Sequence, residues 1–210
     1  MKRILVADDH AAIRKGVKLI LKGEFDDVEF GEAANAAEVF KALQESMWDI
    51  LILDMDMPGR NGLEVLKQLK SENHKIPVLV FSMHPEEQIA VRAIKSGAQG
   101  YLSKDAASED LGKAVHHILS GKKYITPTLA EQLANVLGNP GDKAPHELLS
   151  DREYQTLLLI AGGKTISQIA EELSLSVPTI STYRARILEK MNLKNSAELT
   201  HYAITKGLIQ

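Results

Sequence analysis

The chain has 210 residues, 44% of them hydrophobic, and a formal net charge of −3, which is room for two small domains with ordinary cores. It contains no cysteine, so disulfides and thiolate metal sites are excluded, as suits a reducing cytoplasm. After Met1-Lys2-Arg3 the apolar run is only Ile4 to Ala7, and no later run approaches a membrane span; the sequence reads as soluble and cytoplasmic, with no membrane partner.

Strand and helix patterns alternate through residues 1–120. Ile4 to Ala7 is a short apolar run that ends in Asp8-Asp9, followed by helix-spaced Ile13, Val17, Ile20 and Leu21. Val28 to Phe30 gives a second run. The third, Ile50 to Leu53, reads as a fully buried strand that stops at Asp54, with Asp56 and the turn Pro58-Gly59 just beyond. Leu63, Leu66 and Leu69 share a helical face, Val78 to Phe81 delivers Ser82, and Gly100-Tyr101-Leu102-Ser103 delivers Lys104 before Leu111, Val115, Ile118 and Leu119. This alternation implies right-handed crossovers and a doubly wound, five-stranded parallel sheet, a flavodoxin-like α/β fold.

Ligands bind such sheets at the carboxyl ends of the strands. One acid there is an ordinary solvated strand end. Two acidic strand ends brought side by side repel unless a cation lies between them, and the hard divalent ion that suits a few carboxylates and phosphate oxygens is Mg²⁺. With Ser82 and Lys104 at the same edge, the chemistry this constellation suits is phosphoryl transfer to Asp54.

Residues 1–120 resemble the receiver domain of two-component response regulators, through Asp8-Asp9, Asp54-Met-x-Met-Pro-x-x-x-Gly62, Ser82 and Gly100-Tyr101-Leu102-x-Lys104. The resemblance implies that Asp54 accepts a phosphoryl group from a sensor histidine kinase. It implies that Asp9, Asp54 and the carbonyl of Asp56 hold Mg²⁺, helped by Asp8. Ser82 and Tyr101 would be a switch pair, the hydroxyl moving to the phosphoryl group and the ring following into the vacated space. The chain departs from many receivers in having Asp105 after the lysine, and Met83 and His84 after Ser82. The bulk of Met83 is expected to restrict water and prolong the phosphorylated state.

Residues 121–146 read as a linker. Thr126-Pro127 starts a short helix over about 127–137, with Leu129, Leu133, Val136 and Leu137 as its apolar stripe. The glycine and proline content from Gly138 to Pro145 is that of a flexible segment.

From 147 to 210 every pattern is helical, giving a small all-α domain of four helices. Ser150 and Glu153 form a capping box, Thr165 starts a second helix, Ser176 caps a third that runs to about Met191, and Ser196 caps a fourth. Two short helices joined at Ser174-Leu175-Ser176 suggest a helix-turn-helix. At about 100° per residue, Ile180, Ile187 and Met191 share one side of the third helix. Pro178, Thr182, Ala185 and Glu189 lie opposite, flanked by Ser181 and Arg186. This small outer face suits a DNA major groove.

Residues 1–120 carry 15 Lys/Arg against 19 Asp/Glu, whereas Ser176 to Lys194 hold Arg184, Arg186, Lys190 and Lys194 against the single Glu189. The basic stripe therefore sits on the groove-facing helix. Arg184 lies nearer the packed side, where it can reach a phosphate or pair with Glu171 or Glu172.

Residues 147–210 resemble the effector domain of NarL/FixJ (LuxR-type) regulators, through Leu149-Ser150-x-Arg152-Glu153, Ile166-x-x-Ile169-Ala170-x-x-Leu173, Ser176-x-x-Thr179-Ile180 and Arg186-Ile187-Leu188-x-Lys190-Met191. The resemblance implies a DNA-binding set of Ser181, Thr182, Ala185, Arg186, Arg184, Tyr183, Thr165 and Lys190. It also implies double-stranded DNA with repeated half-sites, bound by a homodimer when phosphorylated. Asp54-x-Asp56 is also similar to the acid pair of haloacid-dehalogenase-type phosphatases. Those enzymes carry it on the first strand, and neither Asp8-Asp9 nor the helix-turn-helix fits them; the reading is a regulator, not an enzyme.

Overall fold

The computed structural model describes residues 1–84, 86–105, 108–138 and 144–209, with side chains set aside at 86–88, 108–109 and 135–138. Residues 139–143 of the expected flexible segment, and the side chains of Val136 and Leu137, thus lie outside the described residues. The chain divides into two compact units, Met1–Leu133 and Ala134–Gln210.

The first unit alternates strictly: β1 (Lys2–Ala7), α1 (Ala11–Glu24), β2 (Val28–Ala33), α2 (Ala36–Glu45), β3 (Ile50–Leu53), α3 (Gly62–Ser71), β4 (Val78–Ser82), α4 (Glu86–Ser96), β5 (Gly100–Ser103) and α5 (Ser108–Leu119). All strand pairs are parallel, in the order β2-β1-β3-β4-β5. Side chains alternate across a strand, so each apolar run feeds two cores. Ile4, Val6, Ile50, Ile52, Leu79 and Leu102 pack with Val17 and Leu21 of α1 and Leu111, Val115 and Ile118 of α5. Leu5, Ala7, Leu51, Leu53, Val78, Val80 and Tyr101 pack on the other face with Val39 of α2, Leu63, Leu66 and Leu69 of α3 and Ile89 of α4. Burial on both faces explains why β3 is apolar throughout.

A helix α6 (Pro127–Gly138) follows. Thr126 Oγ1 accepts the Leu129 N–H at 3.2 Å. Leu129 is fully buried in the same core as Tyr101, with Ile125 and Leu133 packed against it. The approach to α6 is also tied down: Tyr124 donates its N–H to the Gln99 carbonyl at 2.9 Å and bridges Gly100. Leu129 and Leu133 of the stripe read on the linker helix thus pack on the first unit.

The second unit holds α7 (Asp151–Ala161), α8 (Ile166–Glu172), α9 (Val177–Met191) and α10 (Ser196–Thr205), preceded by a 3-10 turn at Pro145–Leu148. Its core gathers Leu157, Leu158 and Ile160 with Ile169, Ile180, Ile187, Met191, Leu199 and Ala203. Ser150, Thr165 and Ser176 cap α7, α8 and α9 as their sequence positions require. The cap of α10 differs: Asn195 Oδ1 accepts the Glu198 N–H at 3.0 Å, and Ser196 is the first helical residue. Ser196 is drawn elsewhere, its Oγ accepting Arg184 Nε–H at 2.8 Å. The turn between α8 and α9 places Ser174 at φ 53°, a left-handed conformation for a residue with a Cβ.

Candidate functional site

The strand order reverses between β1 and β3, and the crevice at that switch point collects the polar strand ends. Ala7 is level with Leu53, Leu53 with Val80, and Ser82 with Ser103. The residues that follow, Asp8, Asp54 and Lys104, therefore meet. Lys104 Nζ lies 2.7 Å from Asp8 Oδ2 and 3.0 Å from Asp54 Oδ2. The other Asp54 oxygen, Oδ1, accepts the Met55 N–H at 2.8 Å. Arg14 donates to the carbonyls of Asp8 at 2.7 Å and Asp9 at 3.3 Å, fixing the loop after β1.

Asp8 and Asp54 are each only 2% exposed. Burial pushes the Asp54 carboxyl up from 3.8 to about 6; Lys104 opposes this, and the nearby Asp8 and Asp56 charges add to it. Burial draws the Lys104 ammonium down, but the two carboxylates outweigh it and its affinity for a proton ends above the ordinary value. Asp8, Asp9, His10 and Asp54 offer ligand atoms within 4.8 Å of one another. Three carboxylates against one ammonium leave two negative charges uncompensated, which is the charge of one divalent cation. This donor set fits such an ion.

A second set of bonds borders the crevice. Ser82, fully buried, accepts the His84 N–H on Oγ at 3.2 Å. The Tyr101 hydroxyl donates to the His84 carbonyl at 2.6 Å, and the His84 ring pairs with the Asp56 carboxylate at 2.9 Å. The Tyr101 ring is buried, 1% exposed. Met83 is 59% exposed, and it is the His84 ring that lies against Asp56.

A further feature of this unit is a close approach at Gly62. A Cβ there would stand 2.6 Å from the Asp54 carbonyl and 2.8 Å from Met55 Sδ. The Gly62 N–H donates to the Met55 carbonyl at 3.0 Å, so α3 begins directly against the Asp54 backbone. Only glycine fits.

On α9, Ile180, Ile187 and Met191 are buried, and Ser181, Thr182, Ala185 and Arg186 are exposed along the opposite side. The Thr182 hydroxyl donates to the Pro178 carbonyl at 2.9 Å, leaving its oxygen lone pairs outward. The four other residues of the expected DNA-binding set have structural duties. Tyr183 packs against the core of the unit. Arg184 bonds Ser196, not Glu171 or Glu172. Lys190 Nζ lies 2.6 Å from Glu153 Oε2, whose side chain is 3% exposed, so its charge is committed to the α7 cap. Thr165 caps α8 reciprocally with Gln168. The sequence pattern missed His10 as a fourth donor and His84 as the partner of Asp56. His10 had a signal, since it directly follows an acid pair at a strand end.

Residues 4–116 match the response regulator receiver domain, and residues 147–203 match the bacterial regulatory proteins of the luxR family. The chain belongs to the LuxR-type response regulators. It is 34% identical to the response regulator UvrY of Escherichia coli (strain K12) over 209 residues, which is 99% of this chain and 96% of UvrY. The oxygen regulatory protein NreC of Staphylococcus carnosus is 34% identical over 214 residues, 99% of both chains. Among solved structures, RcsB from Salmonella enterica serovar Typhimurium, bound to promoter rprA with the phosphomimetic BeF3−, aligns over 96% of this chain and 98% of RcsB. Its TM-score is 0.65 and its identity 25%.

This response regulator thus joins a receiver to a LuxR-type DNA-binding domain and regulates transcription under phosphorylation control. The family is one of transcription regulators, in keeping with Asp54-x-Asp56 being part of a receiver domain. Among the described residues, no helix is long and apolar enough to cross a membrane.

Proposed function

We propose that this is a cytoplasmic protein in which Asp54 is the phosphoacceptor, with a sensor histidine kinase as the donor. The observation that carries this is the Lys104 ammonium spanning Asp8 and Asp54 at the end of the sheet. An Asp54 oxygen attacks phosphorus in line with the departing imidazole, and Lys104 takes up the charge that accumulates on the equatorial oxygens. Mg²⁺, held by Asp9, Asp54 and the Asp56 carbonyl with help from Asp8, supplies further charge neutralisation when bound.

Signal output starts at Ser82. Its Oγ is held by His84 N–H in the unphosphorylated protein. A phosphoryl group on Asp54 accepts the Ser82 O–H and draws Oγ toward it and away from the His84 N–H, which frees the His84 backbone, to which Tyr101 is tied. Ser82, His84 and Tyr101 form one connected element that a local charge change biases.

The altered receiver favours a homodimer on DNA with repeated half-sites. Ser181, Thr182, Ala185 and Arg186 of α9 face the major groove. Arg184 and Lys190 support the helix, and Thr165 and Tyr183 lie at its flank. A single effector module has few free cations and binds weakly at physiological salt; two joined modules gain from effective concentration. The test is selection from a DNA library with and without a small-molecule phosphodonor and Mg²⁺, at fixed salt, with Asp54→Asn as control. A repeated site enriched only by the phosphorylated wild type is expected. Equal enrichment in every case would remove Asp54 from control of DNA binding.

A further inference from the structure

His10 occupies an unusual place for a helix N-cap. Its backbone has the extended φ of −84° and ψ of 107° of a cap, but its side chain makes no capping bond to α1. The ring is turned back toward the crevice instead. Nδ1 lies 2.7 Å from Asp9 Oδ1 and 3.5 Å from Asp8 Oδ1. The His10 N–H donates to that same Asp8 Oδ1 at 2.8 Å, which holds the ring and the carboxylate together.

The four donors are divided by side. Lys104 holds Oδ2 of Asp8 and Oδ2 of Asp54, while His10 faces Oδ1 of Asp8 and Oδ1 of Asp9. The 2.7 Å spacing is that of an imidazole–carboxylate hydrogen bond, and with the 3.5 Å approach to Asp8 it brackets the separation of about 3 Å between neighbouring donors on one small divalent ion with bonds of about 2.1 Å. The ring thus stands within reach of an ion held by the two carboxylates.

We propose that His10 Nδ1 is a ligand of the divalent cation held by Asp8, Asp9 and Asp54. The inference rests on the metal reading of this crevice and adds a nitrogen donor to it. An all-oxygen site suits Mg²⁺, whereas imidazole raises affinity for first-row transition ions and leaves a hard Mg²⁺ ion nearly indifferent. The site therefore takes Mn²⁺ in preference to Mg²⁺ by more than carboxylates alone provide. On binding, the Nδ1 proton is displaced: a neutral ring carries its proton on Nε2, toward solvent, and an imidazolium releases one proton to water.

Mn²⁺ is the probe, because its unpaired electrons report a directly bound nitrogen. The full-length protein would be titrated with Mn²⁺ and examined by pulsed electron paramagnetic resonance, beside His10→Gln, His84→Gln and Asp9→Asn. The expected result is a bound-nitrogen coupling in the wild type and in His84→Gln that disappears in His10→Gln. In His10→Gln, Mn²⁺ affinity should fall about 10-fold, the low end of losses seen when groups supporting a metal site are removed, while Mg²⁺ affinity changes less than about 2-fold. Mn²⁺ that binds and is weakened by Asp9→Asn, but shows no nitrogen coupling, overturns the His10 assignment and leaves the carboxylate site standing. Mn²⁺ that does not bind at all overturns both.

Discussion

Each half of the chain buries a carboxylate against a lysine, and the two carboxylates respond in opposite directions. In the receiver, burial lifts Asp54 to about 6 despite Lys104. In the effector domain, burial also raises Glu153, but the Lys190 ammonium and the Ser150 N–H and hydroxyl outweigh it, and its acidity ends stronger than ordinary. The difference is in the remaining neighbours. Glu153 accepts from Lys190 and from Ser150 on the same oxygen, at 2.6 and 2.8 Å. Asp54 shares its lysine with Asp8 and, among the described residues, receives the Met55 N–H besides. The first arrangement is at rest without any ligand; the second is held under repulsion that a cation or a phosphoryl transfer relieves.

The sharpest way to break this contrast is Glu153→Ala, which removes a buried partner and half of the α7 capping box. Lys190 is partly exposed, so the loss is expected at about 2–3 kcal/mol rather than the full cost of a deeply buried pair. Trp48 is the single tryptophan and lies in the receiver, so its fluorescence should follow an unchanged urea transition. The circular dichroism transition of the effector domain should move. A lowered carboxyl stabilises above its ordinary 4.5 and loses that contribution as pH falls through its folded value; below that window the variant and the parent should converge.

Gly62→Ala should act on the other half. A methyl group driven into the Asp54 carbonyl overpacks the end of β3 and is expected to destabilise the receiver by about 2 kcal/mol. The Trp48-detected midpoint reads it directly, and no shift would mean that α3 gives way without strain.

Asp54→Asn should have the reverse sign. A carboxyl whose folded value is raised penalises the folded state above that value, and the penalty fades as pH falls from about 6 toward 3.8. At pH 7, with metal chelated, the variant should be more stable by about 1–2 kcal/mol, less than the full shift because Lys104 loses a partner. At pH 4 the gain should have largely gone. Destabilisation at pH 7 would show that the Lys104 pair dominates and that the two halves are alike.

The smallest expected effect lies in the turn between α8 and α9. Ser174→Gly removes a left-handed Cβ at the expense of unfolded-chain entropy, for a net gain below about 1 kcal/mol. Chemical denaturation of the effector domain would detect it.

The receiver pocket was legible in the sequence because each of its members directly follows an apolar strand, and parallel pairing brings such ends together. Asp8, Asp54, Ser82 and Lys104 needed no knowledge of long-range contacts. The bonds that were not legible join loops or helices far apart in the chain, such as His84 to Asp56 and Lys190 to Glu153. Their residue types announce only a polar surface. The α10 cap was missed by one position for a local reason: Asn195 and Ser196 are both good caps, and only Arg184, on another helix, decides between them.

The docking of α6 bears on how such chains can be recombined. A graft that joins a foreign effector at residue 120 cuts away Tyr124, Ile125 and Leu129, and Leu129 is fully buried in the receiver core. The severed receiver would present an apolar scar beside β5, open to aggregation or to the wrong neighbour. A splice placed after Leu133 keeps that plug with its owner, so the exchangeable part of this regulator begins more than a dozen residues later than the α/β pattern ends.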